Sequence, residues 1–311
     1  MHFFAERRGS ETSAIETDVQ AIYDDIREGR FERSMALMAG LSSILSGLEV
    51  GYEHYRAGYG NPIMYTPVLL SGALTGVGVW ASFGSKAGRK ALRITSVITL
   101  LDSVTGFYFH IRGIQRKPGG WRIPIVNIVM GPPIFAPLLF GTSAYLGLIG
   151  SYMRREDAPE GAVDISMPRA SGLNWKQELR EGRFQKHVAA VTVLWSFFSG
   201  FEAWYSHYKN NFKYKVQWTP VLLTPVLMAA AAASIPSRTI AKKILPAVSI
   251  ITIADGSIGF YYHARGVLRR PGGLKKWIYN IMYGPPAFAP LLFAACGTLG
   301  LLASILRREP K

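Results

Sequence analysis

The sequence predicts an all-α membrane protein with eight transmembrane helices, arranged as two tandem parallel four-helix bundles. Three observations carry this reading. Hydrophobic residues make up 49% of the chain and charged residues only 18%, against roughly 25% charged in an average soluble domain. The apolar residues come in long blocks, each near the length a helix needs to cross about 30 Å of hydrocarbon. The third observation is an internal duplication. Residues 27–156 align without a gap on residues 180–309 at an offset of 153, with 55 of 130 pairs identical.

The blocks of the first repeat are Ser34–Tyr52, Ile63–Phe83, Ile94–Phe109 and Ile134–Met153, all free of Lys and Arg. Those of the second are Val188–Tyr205, Val216–Ile235, Ile244–Tyr262 and Ala287–Leu306. The repeat opens on REGRF (Arg27–Phe31, Arg180–Phe184) and closes on RRE (Arg154–Glu156, Arg307–Glu309). TPVLL (Thr66–Leu70, Thr219–Leu223) and GPP followed by FAPLLF (Gly131–Phe140, Gly284–Phe293) recur inside it. GPP reads as a helix start with proline in the first turn. PGG (Pro118–Gly120, Pro271–Gly273) reads as a turn before a short apolar approach. An even number of spans per repeat returns the chain to the same face, so the repeats are parallel.

The predicted organisation is a polar segment over 1–33 with room for an interfacial helix, and membrane units over 34–156 and 187–311. A linker over 157–186, with room for a second interfacial helix, joins the units. No apolar stretch before a small-residue cleavage site occurs in the first 33 residues, so no signal peptide is expected. The net charge of +15 would suggest nucleic acid in a soluble protein. Here the excess Lys and Arg flank apolar spans, and the expected partner is anionic lipid, with no nucleic acid. The single cysteine, Cys296, excludes an internal disulfide, covalent haem attachment through CxxCH and a cysteine-held iron–sulfur cluster. No phosphate-cradling loop or nucleophile–His–acid motif stands out.

Ionisable residues inside a span are costly, and each is a functional candidate. Four positions keep one in both repeats: Glu49/Glu202, His54/His207, Asp102/Asp255 and His110/His263. His2 and His187 have no counterpart and read as surface residues. The paired histidines sit near the ends of the first and third spans of a unit. These spans run parallel in an up-down bundle, so both imidazoles reach one face at one depth. Two such imidazoles suit the axial positions of a haem iron. Small residues lie on the same helix face beneath them: Gly106 and Gly47 in the first unit, Gly259 and Gly200 in the second. They predict walls that leave room for a macrocycle, although small-residue stripes equally serve close helix packing. Arg112, Arg116, Arg265 and Arg269 lie just outside, where guanidinium groups could pair with propionates. The aromatic runs Phe107–Phe109 and Phe260–Tyr262 could pack on the ring edges.

From helix rise, Glu49 and Asp102 lie about 7 Å and 12 Å deeper than their histidines. Three readings of these carboxyls, and of Glu202 and Asp255, remain open: hydrogen bonds to helix backbones, a proton path, or a cation site. Neither helix has the Glu-x-x-His spacing of a di-iron centre, and Glu53 is matched by Ser206.

The sequence therefore points to a b-type cytochrome subunit with one bis-histidine haem b per repeat, two per chain. It would be an electron-transfer subunit more than a stand-alone enzyme. It would relay electrons along one membrane face to or from a redox partner protein, a larger membrane complex or quinone. The alternatives are a transporter or channel using the intramembrane carboxyls, and a cofactor-free structural subunit. The face with the termini and linker carries 22 Lys and Arg, against 13 beside the histidines. The positive-inside rule then predicts a multi-pass protein of the cytoplasmic (inner) membrane with its termini in the cytoplasm.

Overall fold

The computed structural model describes residues 30–153 and 184–306, together with residues 20, 21, 24, 25 and 155. Most of the segment over 1–33 and of the linker over 157–186 lies outside the described residues. All regular structure among those described is helical, with no strand. The first repeat forms α1 (Glu32–Arg56), α2 (Thr66–Ser82), α3 (Lys86–Gln115), the short α4 (Pro124–Val129) and α5 (Ala136–Tyr152). The second forms α6 (Gln185–Lys209), α7 (Thr219–Ser234), α8 (Leu245–Leu268), the short α9 (Trp277–Tyr283) and α10 (Ala289–Ile305).

Local chemistry explains the helix ends. The Ser85 hydroxyl accepts the Gly88 N–H at 3.1 Å and starts α3, satisfying one of the orphan donors of a first turn. Proline stands in the first turn of α2, α5, α7, α8 and α10, where its missing N–H costs nothing. At α5 and α10 that proline is Pro137 or Pro290, and GPP lies before the helix rather than inside it. Both glycines of each PGG have positive φ, 80° and 48° at Gly119 and Gly120, 86° and 46° at Gly272 and Gly273. Residues with a Cβ rarely adopt that conformation, so the turn requires its glycines.

Five stretches are long and apolar enough to cross a membrane: Glu32–Arg56, Pro62–Ser82, Lys86–Gln115, Lys215–Ser234 and Ile240–Leu268. α5 and α10 have 17 residues each, about 25 Å of rise, shorter than the apolar blocks that contain them. α6 has 25 residues, but Glu202 and its Trp and Tyr residues dilute its apolar character.

Within each repeat the four long helices touch in sequence, and the last returns to the first: α1, α2, α3, α5 and α6, α7, α8, α10. The first and third helices of each set are therefore diagonal neighbours. α1 and α2 approach closely where Gly40 meets Gly78, whose Cβ would strike the Ala36 carbonyl. Hydroxyls bridge the same contact, from Thr75 to the Gly40 carbonyl at 3.1 Å and from Ser43 to the Ser71 carbonyl at 3.2 Å. Small residues and interhelical hydroxyl bonds are the usual adhesive where lipid removes the hydrophobic drive between helices.

The two repeats share one core. Phe31, Met35, Leu146 and Met153 pack with Phe184, Val188, Leu299 and Leu306. Phe31 and Phe184 occupy the same position in the two repeats and stack with centroids 6.5 Å apart. α2, α3, α7 and α8 turn large apolar side chains outward, among them Leu69, Leu101, Val104, Leu222, Ile250 and Ile258. A water-facing surface of that kind is unusual for a soluble monomer.

Candidate functional site

His54 lies in the last turn of α1 and His110 near the end of α3, with His207 and His263 at the same places in α6 and α8. Three of the four rings are held through Nδ1. That atom lies 2.7 Å from the Met64 carbonyl in His54, 2.5 Å from the Pro133 carbonyl in His110 and 2.6 Å from the Pro286 carbonyl in His263. A carbonyl only accepts, so each Nδ1 is the donor, and in the neutral ring this leaves the lone pair on Nε2. The proline carbonyls are available because GPP precedes its helix and bends back over the end of α3 or α8.

The structure brings His207 and His263 together: their centroids are 6.4 Å apart and their planes nearly perpendicular, at 89°. Phe212 lies 6.2 Å from the His207 ring.

The small residues beneath the histidines meet neighbouring helices. A Cβ on Gly47 would overlap the Ser71 hydroxyl, and one on Gly200 the Thr224 side chain. A Cβ on Gly106 or Gly259 would lie 3.1 Å or 3.0 Å from Pro137 or Pro290. These glycines admit α2 and α7 on one side and α5 and α10 on the other. Arg112, Arg116 and Arg269 are exposed at the histidine end and Arg265 is half-buried. The Arg112 guanidinium reaches the Tyr108 hydroxyl at 3.5 Å. Phe107 stacks on Phe135 at 6.0 Å and Phe260 on Phe288 at 6.4 Å.

The glutamates cross between repeats. Glu202 on α6 accepts the Phe135 N–H at 2.7 Å, before α5. Glu49 on α1 accepts the Phe288 N–H at 3.3 Å, before α10, and the Tyr52 hydroxyl at 2.7 Å. Tyr205 stands three residues after Glu202, as Tyr52 does after Glu49. Each carboxyl thus caps the fourth long helix of the other repeat, where free N–H groups and the helix dipole favour an acceptor. Of the three readings of the carboxyls, hydrogen bonding to helix backbones describes this geometry. Asp102 stays within its own repeat, accepting the Thr66 hydroxyl at 2.6 Å, and Thr219 and Asp255 stand at the same two positions of the second repeat.

Three repeated pairs at this end went unused in the sequence: Tyr52/Tyr205, Thr66/Thr219 and Asn127/Asn280. All are identical at the 153-residue offset, which was the available signal. Asn127 and Asn280 are buried. Asn127 Nδ2 donates to the Gly120 carbonyl at 2.7 Å and the Pro118 carbonyl at 3.0 Å. Asn280 does the same at Gly273 and Pro271, at 3.0 Å and 3.4 Å.

Among the described residues, no group of three or more His, Cys, Asp or Glu is placed to hold a metal ion. A two-ligand centre on paired histidines falls outside that condition. Comparison with protein-family models, with curated proteins and with solved structures gives no match.

Proposed function

We propose that the chain is a multi-pass membrane cytochrome subunit, its eight long helices crossing the bilayer as two parallel four-helix units. Each unit holds one haem b between its two histidines, His54 with His110 and His207 with His263. The observation that carries this reading is the Nδ1-to-carbonyl bond at three of the four rings. Metal-ligating histidines are typically held this way, with the second nitrogen free to bind. The separation of His207 and His263 agrees with it. Two imidazoles with centroids 6.4 Å apart are close enough that both would hold one haem iron.

The donor set fits haem b, whereas the glycine side of each histidine is closed by neighbouring helices. A macrocycle must therefore find its room between the diagonal helices α1 and α3, or α6 and α8. Arg112, Arg116, Arg265 and Arg269 stand at that end as partners for propionates. When bound, haem supplies one-electron redox chemistry. The histidines hold it, and the basic face around them suits an anionic redox partner or lipid. Both centres would lie near one membrane face and pass electrons along it, to a docked protein, a larger complex or quinone. The charge bias puts that face opposite the cytoplasmic termini of an inner-membrane protein.

A cofactor-free structural subunit is the second reading, favoured by the closed glycines and the crossed glutamate caps. A visible spectrum of the reduced protein with a pyridine haemochrome count separates the two. Two haems per chain are expected. Protein expressed with haem supplied and purified without any would leave the structural reading in its place.

A further inference from the structure

Beside the histidine end, α9 and the last turn of α1 enclose an open groove of about 460 Å³. Tyr55 of the first repeat lines one side, and Lys275, Lys276, Trp277, Tyr279 and Tyr283 of the second line the other, over Ile278 and Met282. We propose that this groove binds the headgroup of an anionic phospholipid, with Lys275 and Lys276 on the phosphate and the aromatic rings at the level of the glycerol backbone. The proposal rests on the membrane reading above and deepens it.

The charge is available. Both lysines are exposed, and neither has an ion pair among the described residues. Residues 271–284 contain no acid, and nearby Glu53 is already paired with Arg56 at 3.6 Å. Lysine binds phosphate as a compact point charge, and tyrosine and tryptophan prefer the headgroup level of a bilayer. Trp277, Ile278, Tyr279 and Tyr283 are all exposed, and the Tyr279 and Tyr283 rings lie 4.7 Å apart.

The groove is also pre-shaped. Buried Asn280 ties the Pro271 and Gly273 carbonyls to α9, which sets the turn that presents both lysines. The first repeat keeps the clamp in Asn127 and one cation, Arg122 at the position of Lys275, but not the second cation or the aromatics. Ile123, Pro124, Val126 and Met130 stand where the second has Lys276, Trp277, Tyr279 and Tyr283. The paired cation and the aromatics therefore belong to the second repeat alone while the turn and its first cation are shared, as expected of a ligand site in one repeat only.

The test is native mass spectrometry of the full chain in detergent, titrated with phosphatidylglycerol or phosphatidylcholine. Wild type should retain one phosphatidylglycerol in preference to phosphatidylcholine. The exposed double variant K275Q/K276Q should reduce that preference on the order of tenfold or more, with an unchanged melting temperature, and Arg122→Gln should not. Equal retention of the two lipids by wild type, or an undiminished preference in K275Q/K276Q, overturns the proposal. Displacement of the lipid by millimolar inorganic phosphate also overturns it, since the site would then take free phosphate. An alkaline carbonate wash keeps the two readings apart. A chain washed off the membrane refutes the membrane reading and this proposal together, whereas a retained chain without lipid preference refutes this proposal alone.

Discussion

Glu202 accepts the backbone N–H of Phe135 at 2.7 Å from a helix of the other repeat, and Glu49 does the same for Phe288 at 3.3 Å. The duplication therefore joins its copies through exchanged helix caps as well as through the shared apolar core around Phe31 and Phe184. The Phe135 ring adds to the junction, stacking on Phe198 of α6 at 4.7 Å.

Removing a cap should weaken the whole molecule. Glu202→Ala leaves the Phe135 N–H without its acceptor, at a cost of about 1–3 kcal/mol for a buried group left unpaired. Glu49→Ala should also destabilise, because the Phe288 N–H and the Tyr52 hydroxyl both lose their acceptor. Denaturation of both variants in detergent measures this. A Glu202→Ala variant as stable as wild type would show that the caps do not hold the repeats together.

The glycines beneath the histidines should not tolerate size. Gly47→Leu and Gly200→Leu push against Ser71 and Thr224, and overpacking of that kind costs typically 1–3 kcal/mol or more. Lower yield and a broadened size-exclusion peak are expected. If instead these glycines face an open slot, leucine will fold normally and only haem content will fall.

Asn280→Ala should loosen the lysine turn without unfolding the bundle. The Pro271 and Gly273 carbonyls lose their donor, so amide exchange over residues 272–277 should accelerate while that of α10 stays slow. Unchanged exchange in the turn would mean that its two positive-φ glycines alone hold its shape.

His54→Ala should remove one haem of two and leave the other spectrally intact, because each pair lies within one repeat. His207→Ala should do the same for the second. Loss of both haems in either single variant would show that the ligands cross between repeats, as the glutamates do.

Parallel repeats predict which loops share a side. Cysteines placed at Asn61 and Tyr214 should react with a membrane-impermeant thiol reagent from the same side, opposite to one placed at Ser85. Buried Cys296 gives a silent background. Labelling of Asn61→Cys and Tyr214→Cys from opposite sides would rule out the parallel arrangement.

Much of the frame was legible from residue order alone. Apolar blocks and first-turn prolines place the helices, since both act within a few residues. The gapless offset singles out Glu49/Glu202, His54/His207, Asp102/Asp255 and His110/His263 as matched polar pairs in apolar surroundings. Helix ends were less legible. α5 begins at Ala136 rather than at GPP, because the proline pair serves the end of α3 before the helix starts.

Tertiary structure alone decided what each of those residues faces. Spacing along a helix shows that Gly106 and His110 share a side, but not whether a neighbouring helix or open space lies opposite. Pro137 settles it for Gly106, and Ser71 for Gly47. The caps show the same limit more sharply. Glu49 and Phe288 are 239 residues apart, and Glu202 and Phe135 are 67 apart. A hydrogen bond needs its donor within about 3 Å, and only the packing of one repeat against the other brings those atoms that close.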